Sequence, residues 1–143
     1  MTRRRDIIRR SRMPLLAGTR LGPYSIEAII GTGGMGEVYR ARDTRLDRIV
    51  AIKVLSVRTL EPTDVSHRFE REARAVSALN HPHICTLYDV GKQEGVPFLV
   101  MEYLEGETLA ERVKRGPMPV TEVRPIGKQV AEPAENCTPR PGP

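Results

Sequence analysis

A chain of 143 residues is long enough for one domain with a modest core. Its composition, 39% hydrophobic and 29% charged, excludes a fibrous or wholly disordered chain. The formal net charge is +5, and the first twelve residues, with six arginines and one aspartate, carry all of it. Residues 1–20 are therefore predicted to be a basic, disordered arm, and a nucleic-acid-binding face on the rest of the chain is not expected.

Cysteine content and hydropathy indicate the cellular compartment of the protein. Two cysteines, Cys85 and Cys137, do not make a disulfide framework, which fits a reducing cytoplasm. Cys85 stands in an apolar run, so we expect a small buried thiol there. The sequence has no run of about 18 apolar residues, so no membrane span is predicted.

From residue 24 the chain reads as short strands rich in Ile, Val and Tyr, separated by turn residues. The segments between the first three strands are too short for a crossover helix, so these three are expected to be consecutive antiparallel strands. The predicted strands are Tyr24–Ile30, Glu37–Arg42, Ile49–Leu55, Ile84–Val90 and Phe98–Tyr103.

A helix is predicted to follow Pro62, with Thr63 or Asp64 as its cap, and to end near Asn80 because Pro82 cannot continue it. At 100° per residue, one face of this helix is apolar, and Glu72 falls in the middle of that face. The apolar residues of the face are Val65, Phe69, Val76 and Leu79. An unpaired carboxylate there would be strongly unfavourable, so Glu72 requires a cationic partner.

Past the last strand, Thr108–Arg115 is predicted to be a short helix ended by Gly116 and Pro117. A second helix is predicted over Val123–Glu132, interrupted by Pro133. Residues 133–143 hold four of the twelve prolines and almost no apolar side chains. They are predicted to be a disordered tail.

A glycine-rich segment lies between the first two predicted strands and matches the pattern GxGxxGxV. Its glycines allow backbone amides to approach phosphate oxygens. A dinucleotide-binding loop of this pattern would open a helix, whereas here a strand follows, so a hairpin is favoured. A glycine-rich turn without a ligand remains the alternative at this point. The residues of the segment are Gly31, Thr32, Gly33, Gly34, Met35, Gly36, Glu37 and Val38.

A lysine and a small residue share one face of the third predicted strand. Strand alternation places Ala51 and Lys53 on the same side, where a flat base can pack over Ala51 while the ammonium reaches phosphates. A lone strand lysine is usually a solvated edge charge. Glu72 changes that reading, because an inward carboxylate and a cation offset each other's desolvation as an ion pair. We therefore predict a Lys53–Glu72 pair.

The ordered set GTGGMGEV, VAIK and Glu72 within RFEREARAVSALNHPHI resembles the N-lobe of protein kinases. The phrases GGMGEVYRARDTRLDR, LNHPHICTLYDVG and FLVMEYLEGETL are most similar to bacterial serine/threonine kinases of the eukaryotic-like type. The resemblance implies an α+β fold: a five-stranded antiparallel sheet with one packed helix, called αC in kinases. It further implies an N-lobe with its hinge over residues 21–104 and a partial start of the C-lobe helices over 105–132.

The resemblance also implies roles for individual residues, with ATP as cosubstrate and Mg²⁺ as its metal. Lys53 would hold the α and β phosphates, oriented by Glu72. Residues 31–36 would lie over the phosphates, and Ile30, Val38 and Ala51 would form the roof over adenine. Beside the base, Met101 would be the gatekeeper, and the backbone groups of Glu102 and Leu104 would form the hinge.

The catalytic-loop HRD motif and the DFG motif are both missing from the sequence, so the catalytic Asp and the Mg²⁺ ligands of kinases are absent. One hypothesis is a truncated or frame-shifted gene product, inactive alone, that would need a C-lobe to act on protein substrates. Another is a non-catalytic module that docks on intact kinases, with N-lobe dimerisation as one possibility. A degenerate product without a role is the third. The histidines His67, His81 and His83 lack metal-ligand spacing, and no metal site is predicted.

Overall fold

The structure is a computed structural model that describes residues 14–33, 36–55, 71, 73–74, 76–136 and 138–139. Predictions for the arm before residue 14, for Gly34 and Met35, for Glu72 and for the start of the helix after Pro62 lie outside these residues. The described residues divide into two compact units. The first takes those up to Ser77 together with Leu87–Tyr103, and the second takes Ala78–Thr86 and the chain from Leu104 onward.

The first unit is built on a six-stranded antiparallel sheet. Its strands are β1 (Arg20–Leu21), β2 (Tyr24–Gly33), β3 (Gly36–Asp43), β4 (Arg48–Leu55), β6 (Leu87–Gln93) and β7 (Val96–Glu102). They lie in the order β1-β2-β3-β4-β7-β6. Five of the strands were predicted, and the sixth is a two-residue strand at the edge, so the predicted count of five is corrected to six.

One face of this sheet carries the hydrophobic core. Alternation along β3 and β4 sends every second side chain to this face, where Tyr39, Ile52 and Val100 have no exposed surface. The Tyr24 ring packs edge-on against Phe98, with ring centroids 6.3 Å apart. The remaining buried members of the cluster are Leu21, Ile26, Ala41 and Val50. The opposite face of β3 and β4 therefore does not belong to this core.

The chain between the sheet strands differs from its prediction at two places. Described positions in 71–77 are helical, but Leu79–Asn80 form a short strand, β5, so the helix does not reach Asn80. Val76, predicted on the apolar face, is 46% exposed, whereas Ala73 is buried. The small Ala73 side chain is thus the one that packs inward, which corrects the predicted apolar face at Val76.

The second unit contains two helices and a small sheet. Helix α1 (Leu109–Lys114) begins at Thr108, whose hydroxyl accepts from the backbone N–H of Glu111 while the Glu111 carboxylate accepts from the Thr108 N–H. Helix α2 runs over Val120–Asn136. Strand β8 (Thr138–Pro139) pairs antiparallel with β5. This pairing lies inside the segment whose composition predicts disorder.

Two predictions about the second unit are wrong. The predicted interruption at Pro133 does not occur, because α2 continues through both Pro125 and Pro133 to Asn136. The thiol of Cys85 is exposed rather than buried. It precedes β6, whose first residue, Leu87, is buried. Among the described residues, the helices are too short or too polar to cross a membrane.

Candidate functional site

The candidate site lies on the sheet face opposite the core and follows from the strand register. In β3 and β4, Val38 is paired with Lys53, and Lys53 is paired in turn with Leu99 of β7. Two residues along β4, Ala51 is paired with Met101. Directly opposed residues of an antiparallel sheet project to the same face, so these side chains form one surface. The register therefore brings together four residues that the sequence analysis selected separately: Val38, Ala51, Lys53 and Met101.

The residues of this face differ in how far they are buried. Ala51 is only 6% exposed, while Val38 and Lys53 are half-buried. No carboxylate in the described ranges lies within ion-pair distance of the Lys53 ammonium. Its predicted partner, Glu72, falls in the gap between residues 71 and 73, so the predicted pair stays a prediction. The face offers a flat apolar patch at Ala51 with a cation beside it.

The glycine-rich segment closes the hairpin between β2 and β3. Gly31 lies opposite Val38, and Gly33 lies opposite Gly36. Gly36 has a φ of +133°, and a Cβ built there would overlap the carbonyl oxygen of Val54. A glycine is therefore required at this position, both by the backbone angle and by the close approach of β4. Thr32 and Gly33 are exposed, as expected for the rim of a hairpin.

The remaining predicted residues are Ile30, Met101, Glu102 and Leu104. Ile30 is 47% exposed on β2. Met101 is half-buried between its strand partners Ala51 and Leu87, which is compatible with a packed side chain beside a ligand. Glu102, the last residue of β7, is paired with Val50. Leu104 belongs to the second unit and is 62% exposed.

An arginine that the sequence analysis missed also belongs to this face. Arg40 is the strand partner of Ala51, and its side chain contacts the Glu27 carboxylate. The Arg40 guanidinium lies 5.6 Å from the centre of the Tyr103 ring, in cation–π range. Alternation from Val38 could have identified Arg40, since the two residues are two positions apart on β3.

A polar cluster supports the sheet at the end away from the glycine hairpin. The Tyr24 hydroxyl donates to the Asp89 carboxylate over 2.8 Å and accepts from the Arg45 guanidinium over 3.1 Å. Burial, together with the hydrogen bond to Asp89, raises the pKa of Tyr24 to about 12. Asp43 is fully buried and accepts the backbone N–H of Arg45 at 3.0 Å. The cluster fixes the base of the β2–β3 hairpin.

A second group of chemically capable side chains lies in the second unit. One possible ligand atom from each of His81, His83 and Glu132 falls within 4.8 Å of the others. The expectation of no metal spacing was drawn from the histidines alone. The carboxylate comes from α2, far along the chain, so local spacing could not reveal the group.

Comparisons with known proteins identify the family of the chain. Residues 24–137 match the family described as "Protein kinase domain". The chain is 42% identical over 118 residues to the serine/threonine-protein kinase PrkC of Bacillus subtilis, covering 81% of this chain and 18% of PrkC. It is 44% identical over 121 residues to the serine/threonine-protein kinase PknL of Mycobacterium bovis, covering 81% of this chain and 30% of PknL.

Solved structures give the same result. The crystal structure of the Mycobacterium tuberculosis PknI kinase domain superposes with a TM-score of 0.74 at 30% identity. The match covers 82% of this chain and 49% of that one. The chain thus spans about half of that kinase domain and less than a third of the curated relatives named above. The chain belongs to the protein kinase domain family, among the bacterial serine/threonine kinases of the eukaryotic-like type.

Proposed function

We propose that the face carrying Val38, Ala51, Lys53 and Met101 binds ATP, and that the chain is the nucleotide-binding part of a serine/threonine protein kinase. The observation that carries the proposal is the register. It puts Lys53 and the buried Ala51 on one face of β4, with Val38 of the glycine-rich pattern directly opposite Lys53. An adenine ring needs a flat apolar surface, and its phosphates need a cation and nearby amides.

In this proposal each group has one task. Ala51, Val38 and Ile30 cover the adenine ring. Met101 limits how deeply the base can enter the site. The hairpin of residues 31–36 lies over the phosphates, and Lys53, oriented by Glu72, holds the α and β phosphates. Backbone groups of Glu102 and Leu104 contact the edge of the base.

Phosphoryl transfer needs further groups besides those that bind the nucleotide. Mg²⁺ supplies charge neutralisation of the phosphates when it is bound, and in kinases its ligands come from motifs that this sequence does not contain. The residues present therefore fit the nucleotide but not the metal. We propose that these 143 residues alone bind ATP without transferring its γ-phosphate to protein serine or threonine, and that such transfer needs a C-lobe.

The test is a titration of the ¹⁵N-labelled chain with Mg-ATP, followed by NMR. We expect the amides of Gly31, Val38, Ala51 and Met101 to shift, with half-saturation on the order of 1 mM because one side of the nucleotide stays open to water. Lys53→Met should weaken binding at least about tenfold, the effect of losing roughly 1.4 kcal/mol of phosphate contact.

The matched control is Lys114→Met, the same substitution on the exposed surface of α1. It should leave the ATP affinity unchanged within about twofold. Micromolar affinity would contradict the open, one-sided site. Equal losses from Lys53→Met and Lys114→Met would show that the face is not the nucleotide site.

An alternative function is a non-catalytic module that docks on an intact kinase. The favouring observation is an apolar groove of about 710 Å³ in the second unit, whose side chains Leu109, Val113 and Val130 are each more than half exposed. Sedimentation of the chain mixed with an intact serine/threonine kinase tests it. A complex that forms without ATP and is lost in Val113→Asp would favour docking over nucleotide binding.

A further inference from the structure

His81, His83 and Glu132 form a compact group that the nucleotide site does not use, here called the HHE cluster. Their candidate ligand atoms all lie within 4.8 Å of one another. All three residues belong to the second unit. The two histidines flank Pro82 in the turn after β5, and Glu132 lies in α2. Two imidazoles and one carboxylate are the ligand set of many zinc sites with an open fourth position.

The hydrogen bonds within the HHE cluster show what a metal would have to displace. His81 Nδ1 accepts the backbone N–H of His83 over 3.0 Å, so its one lone pair is occupied here and would face a metal only after the ring turns away from that N–H. His83 Nδ1 lies 3.0 Å from Glu132 Oε2, which places a proton between them. The rings of the two histidines are 5.4 Å apart, centre to centre.

The spacing suits a small tetrahedral cation. With bonds of about 2.0–2.2 Å, two ligand atoms of a tetrahedral zinc ion lie about 3.4 Å apart. The His83–Glu132 pair, at 3.0 Å, needs only a few tenths of an ångström to reach this value. Zinc would replace the proton between Nδ1 and Oε2, and the neutral His83 ring would then carry its proton on Nε2. His81 would complete the set by a side-chain rotation.

The surroundings give such a site a structural role. The two histidines directly follow β5, which pairs with β8 just beyond α2. The Leu79–Pro139 strand pair therefore already joins the segment before the turn to the segment after α2. We propose that the HHE cluster binds Zn²⁺ and thereby fixes the turn after β5 to α2. One group opposes the cation: the Lys128 ammonium lies 3.9 Å from Glu132 Oε1.

The experiment uses the full chain without a histidine tag and Co²⁺ as a spectroscopic substitute for Zn²⁺. We expect the intense visible absorption of tetrahedral Co²⁺ to appear at one equivalent and to disappear when Zn²⁺ displaces it. His83→Gln and Glu132→Gln should each weaken binding at least about tenfold, as expected when one of three ligands is lost. Lys128→Gln should tighten it, by no more than about threefold, because an exposed opposing charge is largely screened.

The chain offers a matched control for Glu132→Gln, since Glu105→Gln removes an exposed carboxylate that is not part of the HHE cluster. It should change the Co²⁺ affinity less than about twofold. Zn²⁺ should also raise the Tm of the parent chain and of Glu105→Gln, but not that of Glu132→Gln, which separates lost binding from lost folding. Equal affinities in Glu105→Gln and Glu132→Gln, or a weak octahedral spectrum in the parent chain, would overturn the proposal.

Discussion

Val38 and Lys53 are direct partners across β3 and β4, so the last residue of the glycine-rich pattern lies beside the lysine of the VAIK sequence. The Val38–Lys53 pair and the core lie on opposite faces of one sheet, because Tyr39 and Ile52 project from the same two strands to the other side. A shift of register by one residue would bury Lys53 and expose Ile52. The core therefore fixes the position of the lysine.

Gly36→Ala is expected to destabilise the first unit. The substitution forces an alanine into a φ of +133° and drives its Cβ into the Val54 carbonyl. We expect a loss of at least about 2 kcal/mol in the free energy of unfolding, the cost of a strained backbone plus displacement of β4. Urea denaturation measures it. Gly33→Ala is the control, because its Cβ would meet nothing within 4 Å, and an equal loss there would refute the explanation.

Gly91→Ala should disturb Phe98. A Cβ at position 91 would overlap the Phe98 ring, which lies opposite it on β7. We expect a loss of about 1–3 kcal/mol from this overpacking and a shift of the Phe98 ring protons in the NMR spectrum. Gly95→Ala has a positive φ of +84° but open space around its Cβ. It should lose stability through the backbone alone and leave the Phe98 signals in place.

The stability of the chain should fall between pH 10 and pH 12. Burial, and then the hydrogen bonds to Asp89 and Glu37 respectively, raise the pKa values of Tyr24 and Tyr39 to about 12 from an ordinary value of 10. The folded state thus retains protons that the unfolded state releases, so its advantage is full below about pH 10 and is lost as the pH rises towards about 12. Denaturation at several pH values measures the slope.

Tyr24→Phe isolates the contribution of one tyrosine to this slope. The variant keeps the ring against Phe98 and removes the ionising hydroxyl, so the decline between about pH 10 and pH 12 should become shallower. Tyr88→Phe is the matched control, because the Tyr88 ring stacks 3.9 Å from the Arg48 guanidinium on the surface and keeps this contact as phenylalanine. An unchanged slope in Tyr24→Phe would contradict the prediction.

Thr108→Ala should raise the pKa of Glu111. The hydrogen bonds from the Thr108 backbone N–H and hydroxyl hold the Glu111 pKa below its ordinary value. Loss of the hydroxyl removes one of these bonds and should move the pKa part of the way back. The α1 cap is stable while Glu111 is ionised and weakens as the pH falls through its lowered pKa. Titration by ¹³C NMR measures the shift, and Thr121→Ala on α2 should leave it unchanged.

The antiparallel connections of β2, β3 and β4 and the facing of β4 were predictable because they depend on local patterns. Short turns fixed the antiparallel connections, and alternation put Ala51 and Lys53 on one side of an unbroken β4. The two-residue strand at Arg20–Leu21 was not predictable in this way, because two residues show no alternation.

Features that depend on distant residues were missed. Proline normally ends a helix, yet α2 passes through Pro133 to a strand pairing with β5 that no local pattern announces. The grouping of His81 with Glu132 depends on the same meeting of distant segments. Burial at Ala73 instead of Val76 is also a tertiary effect, since either residue suits a helix.

The two register irregularities of β2, between Ile26 and Ala28 and between Ile29 and Gly31, give this strand two more residues than β3 over the same span. Extra residues on one strand curl a hairpin and increase its twist. The hairpin therefore curls between its Tyr24–Asp43 pair and its Gly33–Gly36 pair, and the glycine end leaves the plane that the first pairs define.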